Sequence, residues 1–112
     1  MNDLTTFPDD ENGDVLRRMQ AQGDDLSKPR DIDFTVVLPT EAATQAFARH
    51  FHALDYVVAV EETGCVQELP WDVRVVRHML PMHAGITSFE AELDAVARPL
   101  GGRNDGWGCF GQ

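Results

Sequence analysis

Apolar residues recur along the chain with two different periods, and each period predicts an element. From Asp31 to Leu38, the side chains Ile32, Phe34, Val36 and Leu38 alternate with Asp31, Asp33, Thr35 and Val37. That is the two-residue period of a strand buried on one face. Tyr56–Glu62 and Trp71–Met79 predict two further strands, the second with Trp71, Val73 and Val75 on one face. Helical spacing takes over from Glu41 to Leu54, where Ala43, Phe47, Phe51 and Leu54 share a stripe behind the break at Pro39-Thr40. An earlier helix is predicted over Asp9–Gln22. Its acidic first turn (Asp9, Asp10, Glu11) suits the positive end of the helix dipole, Val15, Leu16 and Met19 form a narrow stripe, and Gly23 marks the stop. Gly13 inside it weakens the helix by roughly 1 kcal/mol relative to alanine. Thr87-Ser88-Phe89-Glu90 has capping-box spacing and predicts the start of a third helix carrying Phe89, Leu93, Val96 and Ala97. Pro99 should end or kink it, because its ring would meet the carbonyl of Ala95. A short strand over Gly106–Phe110 closes the chain.

The predicted order is α-β-α-β-β-α-β. After the first helix this is the βαββαβ order of the ferredoxin-like fold, an α+β class with an antiparallel sheet and its helices on one face. The expected core on the sheet is Ile32, Phe34, Val36, Val58, Val73 and Val75. Residues 1–8 read as a flexible N-terminal arm with Phe7 as an anchor, and 9–112 as a single domain.

Charge changes this picture more than composition does. The 112 residues are 43% apolar, an ordinary share for a folded domain, but nineteen acidic against nine basic residues leave a formal net charge of -10. Such a surface repels phosphate backbones and anionic lipid, so direct nucleic-acid or membrane binding is not expected. The acidity serves either solubility or attraction to a basic protein. Met1-Asn2-Asp3-Leu4 shows no basic and then apolar leader, and no apolar run reaches the roughly 18 residues that span a bilayer. With Cys65 and Cys109 isolated from each other, a reducing cytoplasm is the expected compartment.

Motifs for chemistry are lacking. There is no phosphate-binding loop, no His-Glu-x-x-His and no Gly-x-Ser-x-Gly. His50 and His52 point roughly 200° apart around a helix and cannot share an ion. His78 and His83 straddle Pro81 and could approach each other, but two histidines leave a zinc site short of ligands. Neighbouring acids such as Asp9-Asp10, Asp24-Asp25 and Glu61-Glu62 read as solvated surface, and Cys65 has no basic neighbour to activate it. No cofactor, metal or catalytic residue is therefore assigned.

The run Asn104-Asp105-Gly106-Trp107-Gly108-Cys109-Phe110 is the most unusual part of the sequence. Trp107 is either packed on the core from a bulged strand or an aromatic anchor for a partner. Strand alternation puts Phe110 on the opposite face.

Several segments together resemble the family of regulators of ribonuclease E activity B (RraB). These are the acidic helix start with Val15-Leu16, Gly23-Asp24, Arg30-Asp31-Ile32-Asp33-Phe34, Tyr56-Val57, Phe89-Glu90 and above all Asp105-Gly106-Trp107-Gly108. The resemblance spans roughly residues 9–110 and departs at Asp55, where the family commonly has glycine. It implies a ferredoxin-like fold and a regulator, without catalysis of its own, that binds ribonuclease E and inhibits or redirects RNA cleavage.

The expected contacts are Asp9, Asp10, Glu11, Asp14, Asp24 and Asp25 at the two ends of the first helix, with Arg103, Asp105 and Trp107 near the C-terminus. A small acidic immunity protein that neutralises a nuclease toxin is a second reading. A third is a ligand-binding module or enzyme that uses Asp33, Arg74 and His78 on the open face of the sheet. Oligomeric state is not legible.

Overall fold

The computed structural model of the chain describes residues 10–64 and 67–109. The arm at 1–8, Asp9, Cys65 and Phe110 lie outside the described residues. The elements are α1 (Glu11–Ala21), β1 (Arg30–Leu38), α2 (Glu41–His52), β2 (Val57–Glu62), β3 (Trp71–Met79), α3 (His83–Ala97) and β4 (Arg103–Cys109). All strand pairs are antiparallel, and the sheet order is β2-β3-β1-β4. The molecule is an α+β fold with ferredoxin-like order behind an extra N-terminal helix.

β1 lies inside the sheet, paired on both edges, and its alternation decides which face is covered. Ile32, Phe34, Val36 and Leu38 are fully buried, and the register places Val75 beside Phe34 and Val73 beside Val36 on the same face. Onto that face all three helices press Leu16 from α1, Phe47 and Phe51 from α2, and Ile86, Phe89, Leu93 and Ala97 from α3. At the centre the Phe34 and Phe89 rings meet edge to face, with centroids 4.8 Å apart. Val58 packs against this core only partly buried, because β2 is an edge strand.

Three boundaries differ from the periodicity reading. α3 begins at His83, one turn before Thr87, and its N-cap Met82 makes no side-chain capping bond. Ile86 is buried and extends the apolar stripe backwards, so the helix starts directly behind Pro81 rather than at a capping box. β4 begins at Arg103, because Arg103 and Asn104 already pair with Val37 and Val36. Leu54 falls beyond the end of α2 and is 51% exposed instead of lying on its buried face. Pro99 does end the helix: α3 stops at Ala97 and tightens into a 3-10 turn over Arg98–Leu100.

The turn from α2 into β2 holds Asp55 at φ 68°, the only non-glycine residue with positive φ among those described. A Cβ in this left-handed region crowds the backbone by roughly 1–2 kcal/mol, less for aspartate than for most residues. Asp55→Gly should therefore raise unfolding stability by about 1 kcal/mol, even though glycine gains more entropy on unfolding. Urea unfolding of the two proteins checks it; equal or lower stability of the variant would mean that the Asp55 side chain supports the turn.

Candidate functional site

The starts of α1 and α3 are tied together by side chains. Asp10 caps α1 by accepting the Gly13 N–H at 2.8 Å. The same carboxylate meets Nε2 of His83, the first residue of α3, at 3.0 and 2.8 Å. Hydrogen bonding from Gly13 N–H, and secondarily from His83, holds the Asp10 carboxyl below the usual carboxylate range.

Further along α1, Asn12 bonds to both α3 and β4. Its amide donates to Thr87 Oγ1 at 3.0 Å and to Glu90 Oε1 at 2.7 Å, while its Oδ1 accepts from Trp107 Nε1 at 2.8 Å. Glu90 Oε2 accepts from Asn104 Nδ2 at 2.8 Å. Asn104 in turn donates its backbone N–H to Asp94 at 2.9 Å, which, with help from Arg98, keeps the Asp94 carboxyl below its ordinary range.

Trp107 reaches Asn12 because β4 is irregular. The register against β1 shifts between Phe34 and Val36, and Gly106 there has φ 108°, which only glycine adopts freely. The bulge resets the alternation, so Asn104 and Trp107 both lie on the helix-covered face although they are three residues apart. Trp107 packs against the core cluster, as the core reading expected, and also lines a cleft.

That cleft, about 580 Å³, lies between α1, α3 and β4. Asp10, Glu11, Arg103, Asp105 and Trp107 meet on its walls, with Asn12 and Glu90 among them. Arg103 and Asp105 pair with each other at 3.2 Å. The remaining expected residues are elsewhere. Asp14 is exposed and pairs with Arg17 on α1's own surface. Asp24 and Asp25 stand past the other end of α1, beside a second groove of about 610 Å³ with Leu26, Leu80, Pro81 and Met82 on its walls.

Asp24 is not a surface acid. Its side chain is 6% exposed and binds the equally buried guanidinium of Arg30 at 2.8 Å. Arg30 also donates to the carbonyls of Asp25 and Lys28, so the pair fastens the loop between α1 and β1. Asp25 is exposed and accepts from the backbone and hydroxyl of Ser27.

Asn12 and Glu90 escaped the sequence reading. Glu90 had the spacing of a helix cap, and its real partners come from segments 78 and 14 residues away. For Asn12 the only signal was that asparagine is a weak helix former and earns a place near a helix start when its amide has a use.

A family model described as RraB, regulator of ribonuclease activity B, matches residues 9–109. The chain belongs to the RraB family. A search of curated proteins found no match. The matched residues of this RraB chain include every element that builds the cleft, from α1 to β4. No described helix is long and apolar enough to cross a membrane.

The open face of the RraB sheet carries Asp33, Arg74 and His78 on the side away from the helices. His78 pairs with Asp31 at 2.9 Å and His83 with Asp10, so each histidine ring is engaged by a different carboxylate. A dent of about 40 Å³ lies between Arg74, Thr35 and Asp72. Burial, and then the nearby Asp105 and Glu61 charges, push the Asp72 carboxyl above its ordinary range. Among the described residues no group of three or more potential metal ligands is arranged to hold an ion.

Removing the Asn12 amide should leave Trp107 Nε1 without its partner and strip one donor from Glu90. Asn12→Ala is expected to cost about 2–3 kcal/mol in urea unfolding and to shift Trp107 emission. Unchanged stability would mean that water replaces the amide at no cost.

An acid whose pKa rises on folding favours the native state only while protonated; that contribution is present below the unfolded pKa and is lost as pH rises through the folded one. Asp72→Asn should therefore melt higher than the parent at neutral pH, and the gain should vanish below about pH 4. A gain of equal size at both pH values would point to a cause other than charge.

Proposed function

We propose that the chain is a non-catalytic regulator that binds ribonuclease E and restrains or redirects its cleavage of RNA. The family match over residues 9–109 carries this reading. The cleft between α1, α3 and β4 supports it, because it gathers Glu11, Arg103, Asp105 and Trp107 on one surface beside the Asn12–Glu90 network. Tryptophan and arginine are the side chains that most often carry binding energy at protein interfaces.

The polar groups of the cleft also fit docking better than chemistry. Glu90 has both oxygens occupied by asparagine amides, and Asp10 is taken up by the start of α1 and His83. These bonds brace a surface, and they leave no nucleophile paired with a base. The net charge of -10 favours a basic partner surface and opposes direct contact with RNA. Action inside the cytoplasm, where the enzyme works, belongs to the same proposal.

The reading is tested with purified ribonuclease E. The chain should bind it and slow its cleavage of a structured RNA, with no cleavage by the chain alone. Association should be steered by charge. Between about 0.01 M and about 0.15 M salt the screening length falls from about 30 Å to about 8 Å, and the on-rate should fall far more than the off-rate rises. Binding whose on-rate ignores salt would assign the acidity to solubility, and absence of binding would remove ribonuclease E as the partner.

A further inference from the structure

We propose that the cleft receives an arginine side chain of the protein partner, an inference that rests on the regulator reading above. Four carboxylates line the cleft: Asp10, Glu11, Glu90 and Asp105. Two are engaged by basic side chains, since Asp10 meets the His83 imidazole and Asp105 pairs with Arg103. Glu11 and Glu90 have none among the described residues.

Glu90 gives the cleft its chemistry. It is half-buried, and its two oxygens are held by the neutral amides of Asn12 and Asn104. Neutral donors orient a carboxylate without cancelling its charge, and each oxygen keeps a further lone pair. Set in a concave surface beside Asp10, Glu11 and Asp105, such a charge attracts a cation more strongly than an isolated surface carboxylate does. Beside it stands the indole of Trp107, fixed through its N–H to Asn12, and indole is the aromatic ring on which cations stack best.

Guanidinium meets these conditions better than ammonium. It is planar, weakly hydrated, stacks on aromatic rings and spreads its N–H groups to more than one carboxylate, whereas lysine presents a compact and strongly hydrated charge. A cleft of about 580 Å³ also has room for the residues on either side of the arginine. A second copy of the chain is disfavoured as the occupant, because each copy brings a net charge of -10.

The probes are N-acetyl-argininamide and its citrulline counterpart, which keeps the shape and loses the charge. Each is titrated into the full chain while the Trp107 indole N–H resonance is followed by NMR, its assignment fixed by its loss in Trp107→Phe. The arginine probe should shift this signal saturably and the citrulline probe should not. Glu11→Gln, which touches none of the bracing bonds, and Glu90→Gln should each weaken the arginine probe about fivefold or more. Equal response to both probes, or none to either, overturns the proposal. Capture of ribonuclease E is measured on the same proteins. Undiminished capture by the Glu11→Gln, Glu90→Gln double variant keeps the regulator reading and overturns the arginine site. Selective arginine binding without ribonuclease E capture keeps the cleft chemistry and overturns the partner.

Discussion

Burial of one face of β1 under all three helices sets the other positions in the molecule. Phe34 lies at the middle of this contact, edge-on to Phe89 of α3 and flanked by Val75 of β3 and Trp107 of β4. Because β1 is paired on both sides, its register fixes which residues of β3 and β4 face the helices. Side chains in a strand alternate strictly, so Asp31, Asp33, Thr35 and Val37 point to the other face, where Val37 alone of the four is buried. The two faces consequently differ in kind. One is a continuous apolar core; the other carries Asp31, Asp33, Arg74 and His78.

The cleft depends on that core but is held by polar bonds. α1 is only eleven residues long, too short to be stable by itself, and it contributes one fully buried apolar side chain, Leu16. Its place is fixed by Asp10 to His83 and by Asn12 to Thr87, Glu90 and Trp107. Such bonds add modest net stability, yet breaking one leaves a partner unsatisfied in half-buried surroundings, so geometry is held more firmly than the energy of each bond suggests. The outcome is an indole and a carboxylate fixed side by side on a surface, a state that flexible side chains would not hold.

The acids at the two ends of α1 do different work. At the start, Asp10 caps and clamps while Glu11 remains unpaired among the described residues, beside the cleft. At the far end, Asp24 is buried against Arg30 and fixes a loop. A buried pair of this kind contributes little net stability over an apolar one, but loss of either partner would strand a charge. An acid-rich sequence thus conceals a division between structural and available charge that its composition does not express.

The sequence by itself determined the element types and their order, because alternation in β1 and β3 and the helical stripes of α2 and α3 are local patterns. It also indicated the glycines around Trp107 as a bulge signal and, through resemblance, the family. It did not determine where α3 and β4 begin, since Ile86, Arg103 and Asn104 take their conformation from neighbours rather than from capping or turn residues. Nor did it separate Asp24 from Asp25, or bring Asn12 to Glu90 and Trp107. Those bonds join residues up to 95 positions apart, and the partner of a polar group is set by which surfaces the apolar core presses together. Only the tertiary structure makes that choice, because hydrophobic burial is non-directional and hydrogen bonding is not.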